Sequence, residues 1–560
     1  MALRPGTARS GLKQFHDTMV KSGAAIRLQG RANLLDYIRR FEGCALHLDS
    51  VQVSQAFRCL KNRNKNDRCG VSVAGLEMLY VAQPDVFNSW LASLLGGGER
   101  FTSLTVWAFI CGKESGNTTV EKTRVIMPMP ALLNIIDALL VVLLEPFLET
   151  LLVVPGSCWI GGRKYTQVLD ITHGLTAVIE KSMDLESAGA VAQADIQQYY
   201  DSLVLLLVCR WLEERGVPGA LLAAVLRHQM LPNILVEVGG SEVAIDGRSV
   251  GCLTGSRIAG LMSRIPPVDV IQLKHEEWKS RGFQLPNGCL QVAVYIDNLY
   301  SVGKSAHDTT SVLEDFGREL RQRWRCLLKP SSKEVMVAKG NSNHTPADST
   351  WKSLECMRAL GHLIQHDGGI NVCFDFTIRC LWRSFFANAG SASAKGMPVS
   401  YKLRLLDKAT KPVLSFRLTR WPFQSTRAHQ LDKVQRRMLA MVMDLRLSPG
   451  QDAASFNRQR AKEASKQQVK SGKWSTLWAS RVVAWHDHLQ RPANSGTWAA
   501  QLAALRPPQE LQQRRWSNGR PQTRAESGWI RPRWYEGIEK AASYIVKEQT
   551  NIATELRLRV

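Results

Sequence analysis

From about Ala188 onward the hydrophobic pattern falls into short apolar runs that close on acids or turn residues. AGAVAQADI (188–196) has the continuous apolar character of a buried strand and ends at Asp195. DSLVLLLVCRWLEERG (201–216) carries apolar residues at helical spacing and stops at Gly216. ILVEVGGSEVAIDGRSVG (234–251) reads as a hairpin turning at Gly239 and Gly240. A helix begins at Ser256, and QVAVYIDNLYSV (291–302) is a strand pair with Asp297 at its turn. HDTTSVLEDFGRELRQRW (307–324) is helical and EVMVA (334–338) is a strand. This order, β-α-hairpin-α-β-β-α-β, predicts an α+β fold built on a split βαβ sheet with helices on one face.

Outside that block the pattern is less regular. Residues 1–50 are mixed and mostly helical, 61–68 (KNRNKNDR) is a polar basic loop, and Gly96, Gly97 and Gly98 mark a hinge. The stretch Ala131 to Pro155 is apolar enough to suggest a membrane span. It contains Asp137, Glu145, Pro146 and Glu149, however, and each acid near a bilayer centre costs roughly 2.5–3.5 kcal/mol. A buried helix broken at Pro146 is the expectation.

Charge sharpens the picture. The chain carries 72 Lys and Arg against 49 Asp and Glu, a formal net charge of +23 over 560 residues. Such an excess suits a polyanionic partner, nucleic acid before an anionic membrane surface. Residues 446–560 hold 20 Lys or Arg against 9 Asp or Glu, and seven of the 16 Trp. There the cations are expected to meet phosphates, while most of the Trp are expected to form the core of a small helical unit. The twelve cysteines contain no CxxC pair, so neither a disulfide framework nor a zinc knuckle is expected. His362 with His366, and His486 with His488, have no neighbouring Cys and read as structural. The basic, acid-poor start lacks the apolar core of a secretory signal, which points to an intracellular protein of nucleus or cytoplasm with no transmembrane span.

Two acids at adjoining strand ends could hold divalent cations about 3.5–4 Å apart, as phosphoryl transfer to a hydroxyl requires. Asp195 and Asp297 are the candidates. Single acids at strand ends are common, and the surrounding residues add the specificity. Asp195-Ile196-Gln197-Gln198-Tyr199-Tyr200-Asp201 resembles motif A of reverse transcriptases, and Tyr295-Ile296-Asp297-Asn298 resembles motif C. Cys252-Leu253-Thr254-Gly255-Ser256 falls where motif B stands. Lys329-Pro330-Ser331-Ser332-Lys333 resembles motif D, and Ala359-Leu360-Gly361-His362-Leu363-Ile364 resembles the primer-grip hairpin. Upstream, Thr123-Arg124-Val125-Ile126 and Gly161-Gly162-Arg163-Lys164-Tyr165-Thr166 look like finger motifs. All lie in the family's order between about 110 and 370, and the pattern is most similar to non-LTR (LINE-type) retrotransposon reverse transcriptases.

The resemblance implies a right-hand polymerase that copies an RNA template into DNA from dNTPs, extending a DNA primer or target DNA with two Mg2+ ions, or Mn2+ in their place. Residues 111–187 would be fingers, 188–370 palm, 371–445 a thumb whose basic helix (HQLDKVQRRMLAMVM) tracks the duplex, with 1–110 a helical extension and 446–560 a basic Trp-rich region. Asp195 and Asp297 would ligate the metals with the Ile196 carbonyl and Asn298. Tyr200 would gate against a ribose 2′ hydroxyl, Arg124 and Lys113 would hold the triphosphate, and Gly255 would let the backbone approach the nucleotide. Lys333 would protonate the leaving pyrophosphate, and Leu360, Gly361 and His362 would form the primer grip. Tyr199 reads as core and Asp201 as a helix cap. The sequence departs from the family at Asn298, where a second Asp is usual, at Thr254 in place of Gln, and at Cys69-Gly70 in place of Asp-Gly. A decayed or domesticated copy that binds nucleic acid without catalysis is the alternative.

Overall fold

The computed structural model describes residues 24–44, 46–97, 99–112, 123–163, 166–184, 188–238, 241–245, 247–340, 345–445, 447–505, 516–517, 520–521 and 534–557. It is a mixed α+β structure. Strands β1 (Thr105–Gly112), β2 (Thr123–Ile126), β5 (Asn233–Val238) and β6 (Ser241–Ile245) form one sheet in the order β2-β1-β5-β6. A second sheet gathers β3 (Trp159–Ile160), β4 (Ala190–Asp195), β9 (Val292–Tyr295), β10 (Asn298–Gly303), β11 (Glu334–Val337) and β12 (Lys352–Ser353) in the order β12-β11-β4-β10-β9-β3. At its centre β4, β10, β9 and β11 run antiparallel, while the two-residue edge strands are parallel to their neighbours; β7 (Phe283–Leu285) and β8 (Gly288–Leu290) pair as a separate hairpin.

Two sequence expectations are corrected here. The hairpin 234–251 does not join the second sheet; β5 pairs in parallel with β1, from Thr105↔Asn233 to Ala108↔Val236. That contact spans more than a hundred residues, and no local period encodes it. Gly239 and Gly240 themselves lie outside the described residues. The second sheet is also covered on both faces rather than one. Ala190, Ala192 and Ala194 of β4 share a core with Val312, Leu313 and Phe316 of the helix Ala306–Trp324. Val191 packs the other way, with Leu175 and Val178 of the helix Val168–Asp184. The Ala/Val run of β4 fits this, because a strand buried on both sides has no polar face to alternate.

The helix Ala131–Leu151 runs unbroken through Pro146, contrary to the expected break. It is the one helix among the described residues long and apolar enough to cross a membrane, and most of it is buried inside the protein. Its Asp137 is fully buried yet supplied with donors: the Ser256 hydroxyl, the Arg257 N–H at 2.7 Å and the Ile258 N–H at 3.4 Å. The acid therefore sits at the N-terminus of the helix Arg257–Met262, where backbone donors and the helix dipole favour a negative charge.

The main core runs from Leu34 to Trp351. A second core joins the helices Asn371–Ala387, Val399–Leu418 and Ser425–Val442 to Trp474, Trp478 and Trp485 of the helix Trp474–Gln490, and to Trp534. The boundary expected at 445/446 therefore divides no two cores, because residues on either side of it bury each other. Trp474, Trp478, Trp485, Trp498 and Trp534 are all buried, as a core role requires. Arg420 fastens this second core to the rest: fully buried, it donates to His362 Nδ1 at 3.2 Å, to the Leu363 carbonyl at 2.7 Å and to the Thr176 hydroxyl.

Candidate active site

Asp195 is the last residue of β4, and its register partner on β10 is Asn298, the residue after Asp297. The β9–β10 turn is tight. Tyr295 pairs with Asn298, leaving Ile296 and Asp297 as its two central residues. Ile296 has φ of 60°, a left-handed conformation at the position that a type II′ hairpin turn normally gives to glycine. A β-branched residue there costs on the order of 1–3 kcal/mol, which the sheet on both sides must sustain. The Ile196 N–H donates to the Asp297 carbonyl at 2.7 Å, so the two acid-bearing segments are bonded directly.

The segment 327–332 clamps Asp195 from the other side. Its N–H donates to Ser332 Oγ at 2.8 Å, its carbonyl accepts from the Lys329 N–H at 2.8 Å, and the Gln197 N–H reaches the Leu327 carbonyl at 2.8 Å. Both backbone groups of the acid are thus fixed. Burial pushes the Asp195 carboxyl up and the Asp297 charge pushes it further, to about 6, with Glu334 adding to the rise and Lys329 opposing it. Two half-buried carboxylates that raise each other's cost of ionisation are a site short of positive charge.

The remaining expected residues are placed as follows. Asn298 donates its amide N–H to Asp297 Oδ1 at 2.8 Å. Tyr199 is buried, with its hydroxyl donating to the Ser263 carbonyl at 2.5 Å, while Tyr200 is half-buried and its hydroxyl is raised by burial first, with Asp297 adding to the rise. Asp201 lies inside the short helix Tyr199–Ser202, and the next helix, Leu205–Glu213, begins at Val204 with no side-chain cap, so the expected capping role is corrected. Gly255 has φ of 102°, and a Cβ there would lie 3.4 Å from the Met127 carbonyl. The 251–252 backbone is bonded to the 200–203 segment, Cys252 N–H to the Tyr200 carbonyl at 2.8 Å and Gly251 N–H to the Leu203 carbonyl at 2.9 Å. Arg124 stands on β2 opposite Cys111, and Lys113 lies outside the described residues.

Lys333 is held on Glu314 at 2.5 Å, with its ammonium 5.6 Å from the Trp351 ring centre. Lys329 is the lysine whose charge acts on Asp195. Leu360 and Gly361, with φ of 46° and 83°, form the two-residue turn between β13 (Cys356–Ala359) and β14 (His362–Gln365). His362 is fully buried between Arg420 and Phe416, and burial and Arg420 hold its imidazole neutral, far below the ordinary range. The turn itself meets the helix Val399–Leu418 through Arg417, which donates to the Gly361 carbonyl at 2.6 Å.

Three contributors carried no role assigned from the sequence. Gly161 packs against the ring of Tyr295, where any Cβ would collide, and its N–H donates to the Val294 carbonyl at 2.8 Å. Arg264 stands beside Tyr200 and Arg163, its guanidinium pushed down by burial and by Arg163. Lys329 belongs to a quoted motif but carried no assignment. Their neighbours come from other elements, so the fold and not local sequence sets their placement.

Hard divalent cations suit carboxylate and carbonyl oxygens. Asp195 and Asp297 fit such an ion on this structure's own terms, since their mutual repulsion is what a cation between them would relieve. No group of three or more His, Cys, Asp or Glu that could hold a metal ion occurs among the described residues.

No protein-family profile matches the chain, and no curated protein does. Among solved structures, apo telomerase from Candida tropicalis, truncated from its C-terminal domain, is similar at 11% identity with a TM-score of 0.32. The match covers 48% of this chain and 54% of that one, so the chain spans about half the length of its solved neighbour. At this distance the site's chemistry has to be read from its own residues.

Proposed function

We propose that the protein is an RNA-directed DNA polymerase of right-hand architecture, most similar to non-LTR retrotransposon reverse transcriptases. The second sheet is its palm, the β1–β2–β5–β6 sheet belongs to its fingers, and the helices from Asn371 onward form its thumb. The observation that carries this reading is the pairing of Asp195 and Asp297 on adjoining strand ends, each backbone-clamped and each raising the cost of the other's charge. Magnesium, when bound, supplies the positive charge that stabilises a phosphoryl group under attack by a hydroxyl. Asp195 and Asp297 hold that charge in place, and Lys329 limits the repulsion between them and Glu334. Tyr200, half-buried and anchored through the Gly251–Cys252 backbone, presents its ring at the sugar position and selects against a 2′ hydroxyl. Gly255, open to a positive φ, lets its segment lie close to the nucleotide.

RNA template, DNA primer and dNTPs are the corresponding ligands. The test is primer extension on an RNA template with Mg2+, comparing the wild type with Asp195→Ala and Asp297→Ala. Wild-type extension lost in both variants supports the assignment. One observation favours a second reading. Asn298 spends its amide on Asp297, which leaves a smaller ligand set and suits a palm that binds nucleic acid without copying it. Duplex binding by a wild type inert with Mg2+ and Mn2+ on several templates would favour that reading.

A further inference from the structure

We propose that Asp170 and His488 form a proton-dependent latch that docks the C-terminal helices Trp474–Gln490 and Trp498–Ala504 on the helix Val168–Asp184, behind the strand that ends at Asp195. The helix Val168–Asp184 buries polar side chains against these C-terminal elements rather than an apolar stripe. Asp170 meets His488, His173 meets Trp485, and Lys181 donates to the Leu505 carbonyl at 2.9 Å. Gly174 lets the two sides touch, since a Cβ there would lie 2.9 Å from the Trp498 Cβ. Asp170 Oδ1 stands 3.5 Å from His488 Nε2, with the two side chains 1% and 11% exposed. Asp170 Oδ2 accepts the Gln167 N–H at 2.7 Å. Among the described residues, Oδ1 and Nε2 make no hydrogen bond of ordinary length, so each has the other as its counterpart.

A carboxylate this deep is costly unless an opposite charge faces it. The pair is neutral only while one proton stays with Asp170 and His488 together. Burial pushes the Asp170 carboxyl up, and the Gln167 N–H and His488 pull it back. The neighbouring groups do not replace that proton. His173 accepts the Trp485 indole N–H on Nδ1 at 2.7 Å, and burial, Arg420 and Lys181 push its imidazole down to about 3, so it stays neutral across the neutral range. Its part is to orient Trp485, whose ring stacks on His488 with centres 4.7 Å apart. Glu180 and Lys181 lie about three turns further along the Asp170 helix. His486 and Asp487 share the His488 helix, with Asp487 and the following Arg491 exposed, and the helix Trp498–Ala504 brings no charged side chain. Undocked, both members of the pair meet water, where an imidazole gives up its proton near pH 6.5. The docked form then holds a proton that the open form has released, so docking weakens as pH rises, by up to about tenfold per pH unit. A carboxyl raised on docking acts in the same direction, favouring the docked state at low pH and opposing it as pH rises. Leu175 and Val178 of the same helix pack on Val191 of β4, so opening the latch removes support from the strand that carries Asp195.

The experiment follows amide hydrogen exchange of residues 474–504 in the full chain between pH 6 and 8.5, corrected for the intrinsic pH dependence of exchange. In the wild type, protection is expected to fall as pH rises through this range. Asp170→Asn keeps the shape and removes the buried charge, so protection should stay high and flat. His488→Gln leaves the carboxylate without its proton partner, so protection should already be low at pH 6.5. The double variant Asp170→Asn/His488→Gln should recover the flat, protected profile. A wild type whose protection does not change with pH overturns the proposal. So does an Asp170→Asn variant that loosens as much as His488→Gln, since that is the behaviour of a contact with no proton linkage. The step from docking to catalysis rests on the polymerase reading above, but the exchange measurement does not: a wild type that protects as expected and fails to extend primers would count against that reading and leave the latch standing.

Discussion

Asp195 reaches its unusual state by position. Its backbone N–H and carbonyl are both bonded to the 327–332 segment, which fixes the main chain that carries the carboxylate. The pH consequence follows from the direction of the shift. An acid whose folded pKa rises from 3.8 to about 6 favours folding fully below the unfolded value and loses that contribution as pH rises through 6. With chelator present, stability is therefore expected to fall between pH 4 and 7 by on the order of 1–2 kcal/mol more in the wild type than in Asp195→Asn, discounted for solvent screening. Adding millimolar Mg2+ at pH 7 should restore most of that loss, and thermal melts across a pH and Mg2+ grid measure it. Asn298→Asp removes the amide donor to Asp297 and adds a carboxylate, so it should lower stability without metal yet raise primer extension at low Mg2+. A Mg2+ titration in which Asn298→Asp needs more metal than wild type would contradict this.

At the scale of elements, the site depends on close approaches between segments far apart in sequence. Gly161→Ala would drive a Cβ into the Tyr295 ring and shift the turn bearing Asp297, so extension should fall by tenfold or more. Asp137→Ala removes the acceptor for Ser256 and two backbone N–H groups at a buried helix start, an expected loss of about 2–4 kcal/mol by urea denaturation. The strand ending at Asp195 and the strand pair turning at Asp297 were legible because apolar runs meeting an acid are a local pattern, and their bounds fall within two residues of the expected ones. The hairpin 234–251 was legible as a hairpin but not as part of the first sheet, since its parallel pairing with β1 leaves no local trace. Lys329, Arg264 and the burial of His362 were illegible for the same reason: the neighbours that define them come from other elements. Pro146 was misjudged because proline usually ends a helix, whereas here the core around Ala131–Leu151 sustains the missing hydrogen bond.

For the molecule as a whole, the basic C-terminal region is both surface and core. Trp474, Trp478 and Trp485 bury themselves against residues before 445, so deleting 446–560 should expose the second core and abolish cooperative unfolding of the helices from Asn371. Charge can be removed from this region without that damage. Arg458→Gln, Lys462→Gln, Lys466→Gln and Lys470→Gln on the helix Ala453–Ser471 remove charge without touching that core, and should flatten the salt dependence of duplex binding with little change in melting temperature. An unchanged slope would mean this face of the molecule lies away from the nucleic acid. Copying itself is tested most directly by primer extension on poly(rA)/oligo(dT) across a Mg2+ titration with wild type, Asp195→Ala and Asp297→Ala. A reverse transcriptase built on these two acids extends as wild type and loses at least a hundredfold in each variant, with folding intact. Extension by Asp297→Ala at the wild-type rate would contradict it.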